Sequence, residues 1–319
     1  MRLNPFDDAR QHGSRRRPFF EGWYFKQAGE DGAFAAIPGI FRGSDASQDH
    51  AFVQVLFSSP AESRFVSFPT DAFSCSKQGF EMHVGKNIFT MNGIQLSMPE
   101  IGLEANLEYT GRVPLKSNLA SPTIMGPFTY LPGMQCRHGV LSLWHGVSGE
   151  VCFQQRKLVF SGADGYIEKD WGGVFPESWV WMQCGNHDVT LMCAIATIPL
   201  KPIHFTGVIC VLRIGTKQFR FATYNGVHVS RLDIKADAVR VELERKGQRL
   251  SIEACDKEFG FLQAPSRTGM DRRISESVSA RFRVEMLDHG ETLLLGEYSG
   301  GLEMLEAQGI RVRQTREKR

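Results

Sequence analysis

The 319-residue chain has no Cys-x-x-Cys, no P-loop, no Gly-x-Ser-x-Gly elbow, no His-Glu-x-x-His and no Gly-x-Gly-x-x-Gly after a strand pattern. Dinucleotide, phosphoryl-transfer and serine-hydrolase chemistry therefore have no basis in the sequence. Charge of one sign is lacking too. Lys+Arg number 37 against Asp+Glu 35, a net +2, which gives no whole-molecule field to draw nucleic acid. No sustained basic groove accompanies the aromatics, so nucleic acid is not an expected partner. The longest largely apolar run, "VTLMCAIATIPL" (189–200), falls short of the roughly 20 residues that span a bilayer. No apolar stretch resembling a signal peptide opens the chain. The seven cysteines (75, 136, 152, 184, 193, 210, 255) are odd in number and scattered, so reduced thiols in a cytoplasmic protein are expected.

Glycine (32) and phenylalanine (23) are what the chain has in quantity, and both favour strands and turns over helices. Helical periodicity is scarce, and one short helix in each half is expected. The length is about twice that of a usual domain. Both ends are basic: Arg15, Arg16 and Arg17 near the start, Arg311, Arg313, Arg316, Lys318 and Arg319 at the finish. They read as solvated tails, with weak adhesion to an anionic membrane surface as the alternative.

An internal repeat organises the rest. "FFEGWYFKQ" (19–27) lies over "FPESWVWMQ" (175–183), with agreement at alternate positions: Phe19/Phe175, Glu21/Glu177, Trp23/Trp179, Phe25/Trp181 and Gln27/Gln183. A turn follows each copy, and then "AFAAIP" (33–38) lies over "AIATIP" (194–199), matching at Ala33/Ala194, Ala35/Ala196 and Ile37/Ile198. Each copy reads as a hairpin that presents one preserved face to its interior. The halves are thus expected to be homologous antiparallel β lobes, barrels or sandwiches, spanning 15–164 and 165–312 with tails at 1–14 and 313–319. Short alternating runs such as "GLEANLEYTG" (102–111) support this. One long stretch, 111–139, carries Pro114, Pro122, Pro127 and Pro132 and reads as a functional cover.

Chemistry concentrates in "GYIEKDWGGVFPESWVWMQ" (165–183), where Glu168, Asp170 and Glu177 stand among Tyr166, Trp171, Phe175, Trp179 and Trp181. A carboxyl walled by rings is desolvated and can be held protonated as a general acid, and the rings stabilise a cation formed beside them. Acids in turns that bond backbone amides are the plainer alternative. A second cluster is Cys136, His138 and His145; its spacing matches no metal motif, and a histidine near the acids would orient a carboxylate or shuttle a proton.

"FFEGWYFK" (19–26), "CRHGVLSLWHG" (136–146) and the central motif resemble the tocopherol cyclase-like family, which carries a Gly-Tyr-x-Glu-Lys-Asp-Trp-Gly signature before a Phe-Pro-x-x-Trp-x-Trp strand. That family is similar to lipocalin-like two-lobed proteins, carotenoid hydratases among them, which implies paired β-barrel lobes. Its plant enzymes protonate the trisubstituted alkene of a prenylated quinol, and the phenol oxygen captures the cation. The resemblance places acid candidates at Glu168, Asp170 and Glu21 and cation-stabilising rings at Trp23, Trp171, Trp179 and Trp181. Further substrate contacts are expected from Tyr166, Glu177, Gln183, His138 and His145. The expectation is a cofactor-independent cyclase or hydratase acting on a prenylated quinol, carotenoid-like alkene or other lipid. A non-catalytic lipid carrier and a glycosidase remain as alternatives, the last requiring carboxyls about 5 to 9.5 Å apart.

Overall fold

A computed structural model of the chain describes residues 8–13, 16–76, 79–200, 203–266 and 269–310, without the side chains of Leu200 and Ile203. Arg15 and the basic C-terminal residues 311–319 lie outside the described residues. Arg17 is no solvated tail residue, because its guanidinium grips the Asp49 carboxylate at 2.7 and 2.6 Å. Each short apolar/polar alternation became a strand. In "LEANLEYTGRV" every other residue from Leu103 to Tyr109 is buried and the intervening ones are exposed, as a strand with one wet face requires. Helical structure among the described residues is limited to short 3-10 turns, so neither expected helix is found.

The first lobe comprises β1 (Phe19–Gly29), β2 (Gly32–Arg42), β3 (His50–Phe57), β4 (Glu62–Phe68), β5 (Phe73–Cys75), β6 (Glu81–Val84), β7 (Asn87–Thr90), β8 (Gly93–Met98), β9 (Leu103–Val113), β10 (Cys136–Phe153) and β11 (Arg156–Gly172). They form one antiparallel sheet in the order β4-β3-β2-β1-β11-β10-β9-β8-β7-β6-β5, which curls until β3 meets β6 across its seam. The second lobe comprises β12 (Trp179–Gly185), β13 (Val189–Leu200), β14 (Ile203–Ile214), β15 (Lys217–Ala222), β16 (His228–Ile234), β17 (Ala238–Arg245), β18 (Gln248–Cys255), and, after β19 (Gly260–Ala264), β20 (Arg272–Asp288) and β21 (Glu291–Leu305). Its order is β15-β14-β13-β12-β21-β20-β18-β17-β16. Strand for strand this repeats the first sheet from β4 to β7. In both, the first strand pairs with the last and winds outward from the middle. The chain is a duplicated, all-β pair of lipocalin-like lobes.

Two sequence expectations need correction. The lobe boundary follows Phe175, since residues 165–172 complete β11, and residues 260–274 return to the first lobe. There β19 lies against β3 and β4, with the Gln54 side-chain amide donating to Gln263 O (2.8 Å) and Gln54 Oε1 accepting from Gln263 N (2.7 Å). The repeat also holds less well by residue than by strand. In β2 and β13 the matched alanines do stand outside both cores. In β1, however, Trp23 and Phe25 enter the first core, whereas in β12 Val180, Met182 and Cys184 enter the second. Trp179 and Trp181 thus stand on the face opposite to that of Trp23. A slip of one residue reverses every side chain of a strand, and alternation in sequence is satisfied by either choice.

Candidate acid site

Strand β11 carries two clusters, one on each face, because successive side chains alternate. Glu21 faces Trp171 across the β1/β11 ladder and Trp23 faces Lys169; on the other face Gly22 is opposite Asp170 and Tyr24 opposite Glu168. The acids and tryptophans of the central motif therefore do not form one pocket in this lobe.

On the inner face, the Lys169 ammonium contacts Glu21 Oε1 at 2.5 Å and donates to Arg10 O at 2.6 Å and to His12 Nδ1 at 2.7 Å. Three acceptors thus meet its three hydrogens. It also lies over the rings of Trp23 and Trp171, at 4.5 and 4.7 Å. The His12 and Gly13 amides donate to Glu21 at 2.6 and 3.1 Å, and the His12 ring stacks on Trp171. Residues 8–13 are thus part of the lobe, although the sequence assigned them to a tail. Burial works against the Glu21 charge, but His12 and Lys169 outweigh it and hold the carboxyl below its ordinary range. Glu21 is an ionised counter-ion, which removes it as a proton donor.

On the outer face, His138 stands opposite Asp170 on the neighbouring strand. Its Nδ1 is 2.9 Å from Asp170 Oδ1, and its Nε2 is 3.2 Å from Glu168 Oε2. The Tyr166 hydroxyl donates to Glu168 Oε2 at 2.6 Å. Burial opposes the imidazolium, yet the carboxylates of Glu168 and Asp170 prevail and raise His138 well above its usual pKa. The Tyr166 hydroxyl is pushed up as well, by burial and then by Glu168, and keeps its proton. One atom from each of His138, Glu168 and Asp170 lies within 4.8 Å of the others, tight enough to surround one small cation; here the positive charge is the imidazolium's own. Because that ring fills the space between the two carboxyls, the pair does not flank the open gap that glycoside cleavage needs. Asp170 is the more accessible acid, its side chain 25% exposed against 7% for Glu168.

Besides Tyr24 and Tyr166, the rings that border this cluster are phenylalanines. Phe20, Phe41, Phe52 and Met270 form a separate apolar cluster, joined by Phe65, Phe175 and Cys136, and Cys136 Sγ lies 4.0 Å from Asp170 Oδ1. Phe20 shares the face of Gly22 and Tyr24. Sequence reasoning missed this wall because its members are spread from residue 20 to residue 270. It also passed over Lys169, present in the quoted "EKDW", and His12, for which no local signal existed.

The remaining candidates lie elsewhere. His145 enters the first-lobe interior, its ring 4.3 Å from that of Tyr109, while its Nδ1 is 3.0 Å from Ser142 Oγ. Burial, helped by Arg112, lowers its pKa to about 3, so it is neutral. Tyr109 in turn accepts from Gln27 Nε2 at 2.7 Å. In the second lobe Trp179, Trp181 and Gln183 are buried on the outer face of β12, the Trp179 indole donating to Glu303, while Glu177 is exposed before the strand begins.

Three predictions follow from this geometry. Lys169→Met leaves Glu21 buried without its cation and should cost about 3–5 kcal/mol in urea unfolding, with part of the loss recovered by adding Glu21→Leu. His138 should remain charged well above pH 6.5 in an NMR titration. With its folded pKa raised, the stability from this cluster is complete below the unfolded value of 6.5 and fades as pH climbs through the raised one; Asp170→Asn should bring the titration down. Gly165→Ala would place Cβ 2.1 Å from His145 Nε2, against a fixed ring, and should destabilise the first lobe by about 1–3 kcal/mol in the same unfolding assay.

Three solved structures share this fold. That of CghA with Sch210972 superposes at a TM-score of 0.62 with 13% identity, covering 92% of this chain and 89% of the other. A putative AttH from Nitrosomonas europaea gives 0.57 and 12%, covering 92% and 94%. Kievitone hydratase from Nectria haematococca gives 0.56 and 10%, covering 92% and 90%. At such identities the likeness establishes the fold alone. The family model described as tocopherol cyclase-like matches residues 127–307, which include His138, Glu168 and Asp170 and more than half of the sequence; the chain belongs to the tocopherol cyclase-like family.

Proposed function

We propose that the protein protonates an alkene of a lipid-like substrate, a prenylated quinol or related isoprenoid, leading to cyclisation or hydration. The observation that carries this reading is His138 held between Glu168 and Asp170, at 3.2 and 2.9 Å, beside the phenylalanine wall around Phe20 and Phe175. His138 holds the proton, and Asp170, the more accessible carboxylate, relays it to the alkene. His138 Nδ1 lies 2.9 Å from Asp170 Oδ1, so the imidazolium proton passes to that carboxylate and on to the alkene. Glu168, bonded by the Tyr166 hydroxyl, keeps His138 charged.

The step balances without a redox partner. The His138 N–H bond breaks as its proton moves through Asp170, a C–H bond forms at the less substituted alkene carbon, the more substituted carbon becomes cationic, and His138 is left neutral. A phenol oxygen of the same substrate, or water, then forms the C–O bond, and its proton returns to the imidazole of His138. Aromatic faces near the cation lower its energy. Support comes from the family and from neighbours that include a protein named as a hydratase.

Incubation with prenylated quinols and carotenoid-like alkenes in heavy water should give a product with deuterium on the protonated carbon. Asp170→Asn should lower turnover by about 10²–10⁴-fold with the fold intact by circular dichroism. Tight binding of the alkenes, all recovered unchanged and free of deuterium, would replace this reading with that of a carrier.

A further inference from the structure

The long segment between β9 and β10 exposes apolar side chains that the rest of the first lobe does not explain. Leu119 is 91% exposed, Tyr130 50% and Leu131 46%. They are held together: the Tyr130 hydroxyl donates to Leu119 O, and the Arg137 guanidinium donates to Thr129 O (2.9 Å) and Leu131 O (2.5 Å). Asn118 and Ser121 exchange two backbone hydrogen bonds, and the buried Thr123 and Ile124 fasten the segment to the lobe. This is a built projection rather than loose chain. Residues 111–139 contain no Asp or Glu but carry Arg112, Lys116 and Arg137.

We propose that this segment is an interfacial foot: Leu119, Tyr130 and Leu131 enter the boundary between headgroups and acyl chains of an anionic lipid surface. Two leucines supply the apolar area, and tyrosine suits a boundary where one end of the ring is dry and the other wet. The segment's cations and its own lack of acids complement anionic headgroups, with the Asp8 carboxylate outside the segment standing near Arg137. Arg137, which grips the foot, precedes His138, so the projection leads directly into the strand bearing the acid site. For that destination the inference rests on the proposed lipid-like substrate.

The test is sedimentation of the full chain with vesicles of phosphatidylcholine, with and without phosphatidylglycerol. Binding to the mixed vesicles, weakened by salt, is expected. Leu119→Ser with Leu131→Ser should reduce partitioning at least tenfold while circular dichroism stays unchanged. A Leu119→Trp probe, read by selective excitation against a matched unsubstituted control, should shift to the blue on adding vesicles. Binding should persist in Asp170→Asn, and the vesicles contain no alkene substrate, so failed catalysis and failed docking are read separately. The inference is overturned if the wild-type chain stays in the supernatant at low salt. It is equally overturned if the double serine variant binds as well as wild type and only removal of 311–319 abolishes binding. A concentration-dependent dimer that the serines abolish, with no vesicle binding, would assign the surface to a second copy instead.

Discussion

The two-residue period of one strand governs this protein. β11 is paired on both sides, so its side chains have only two directions, and Glu168-Lys169-Asp170-Trp171 must be dealt alternately to them. Lys169 and Trp171 go inward to Glu21 and Trp23, while Glu168 and Asp170 go outward to His138 and Tyr166. Four consecutive residues thereby build two electrostatic assemblies whose charges stand on opposite sides of a single layer of backbone. Each assembly sets opposite charges against one another within itself, as buried ionisable groups require.

The inner assembly is architectural. A fully buried lysine and glutamate are tolerated because backbone amides, a carbonyl, a neutral histidine and two indole faces complete their shells. The outer assembly differs in kind. It has two carboxylates for one imidazolium, one of them partly accessible, and it borders an apolar cluster. A proton held there has somewhere to go, whereas the Lys169 ammonium, bonded three times, does not.

Much of the fold was legible in the sequence. The alternation from Leu103 to Tyr109 gave a strand with the expected wet and dry faces, and the hairpin matches at Ala33/Ala194 and Ala35/Ala196 pointed to duplicated lobes. The convergence of Glu168, Asp170, Tyr166 and His138 could be anticipated from one motif and its neighbour. What could not be read was sidedness. The Trp23/Trp179 match is a likeness of letters across opposite faces, and nothing local distinguishes the two choices. Partners distant along the chain were equally hidden: His12 reaches Lys169 over 157 positions. Met270 joins Phe20 only because a segment of the second half returns to the first lobe.

That return has a consequence for biosynthesis. As the chain leaves the ribosome, the opening half can assemble its eleven-stranded sheet, yet it waits for residues 260–274 before the outer face of β3 and β4 is covered. By then most of the other sheet has already emerged. Maturation of the two halves is therefore interleaved in time, and the nascent first half carries an uncovered face for as long as translation of the intervening segment takes.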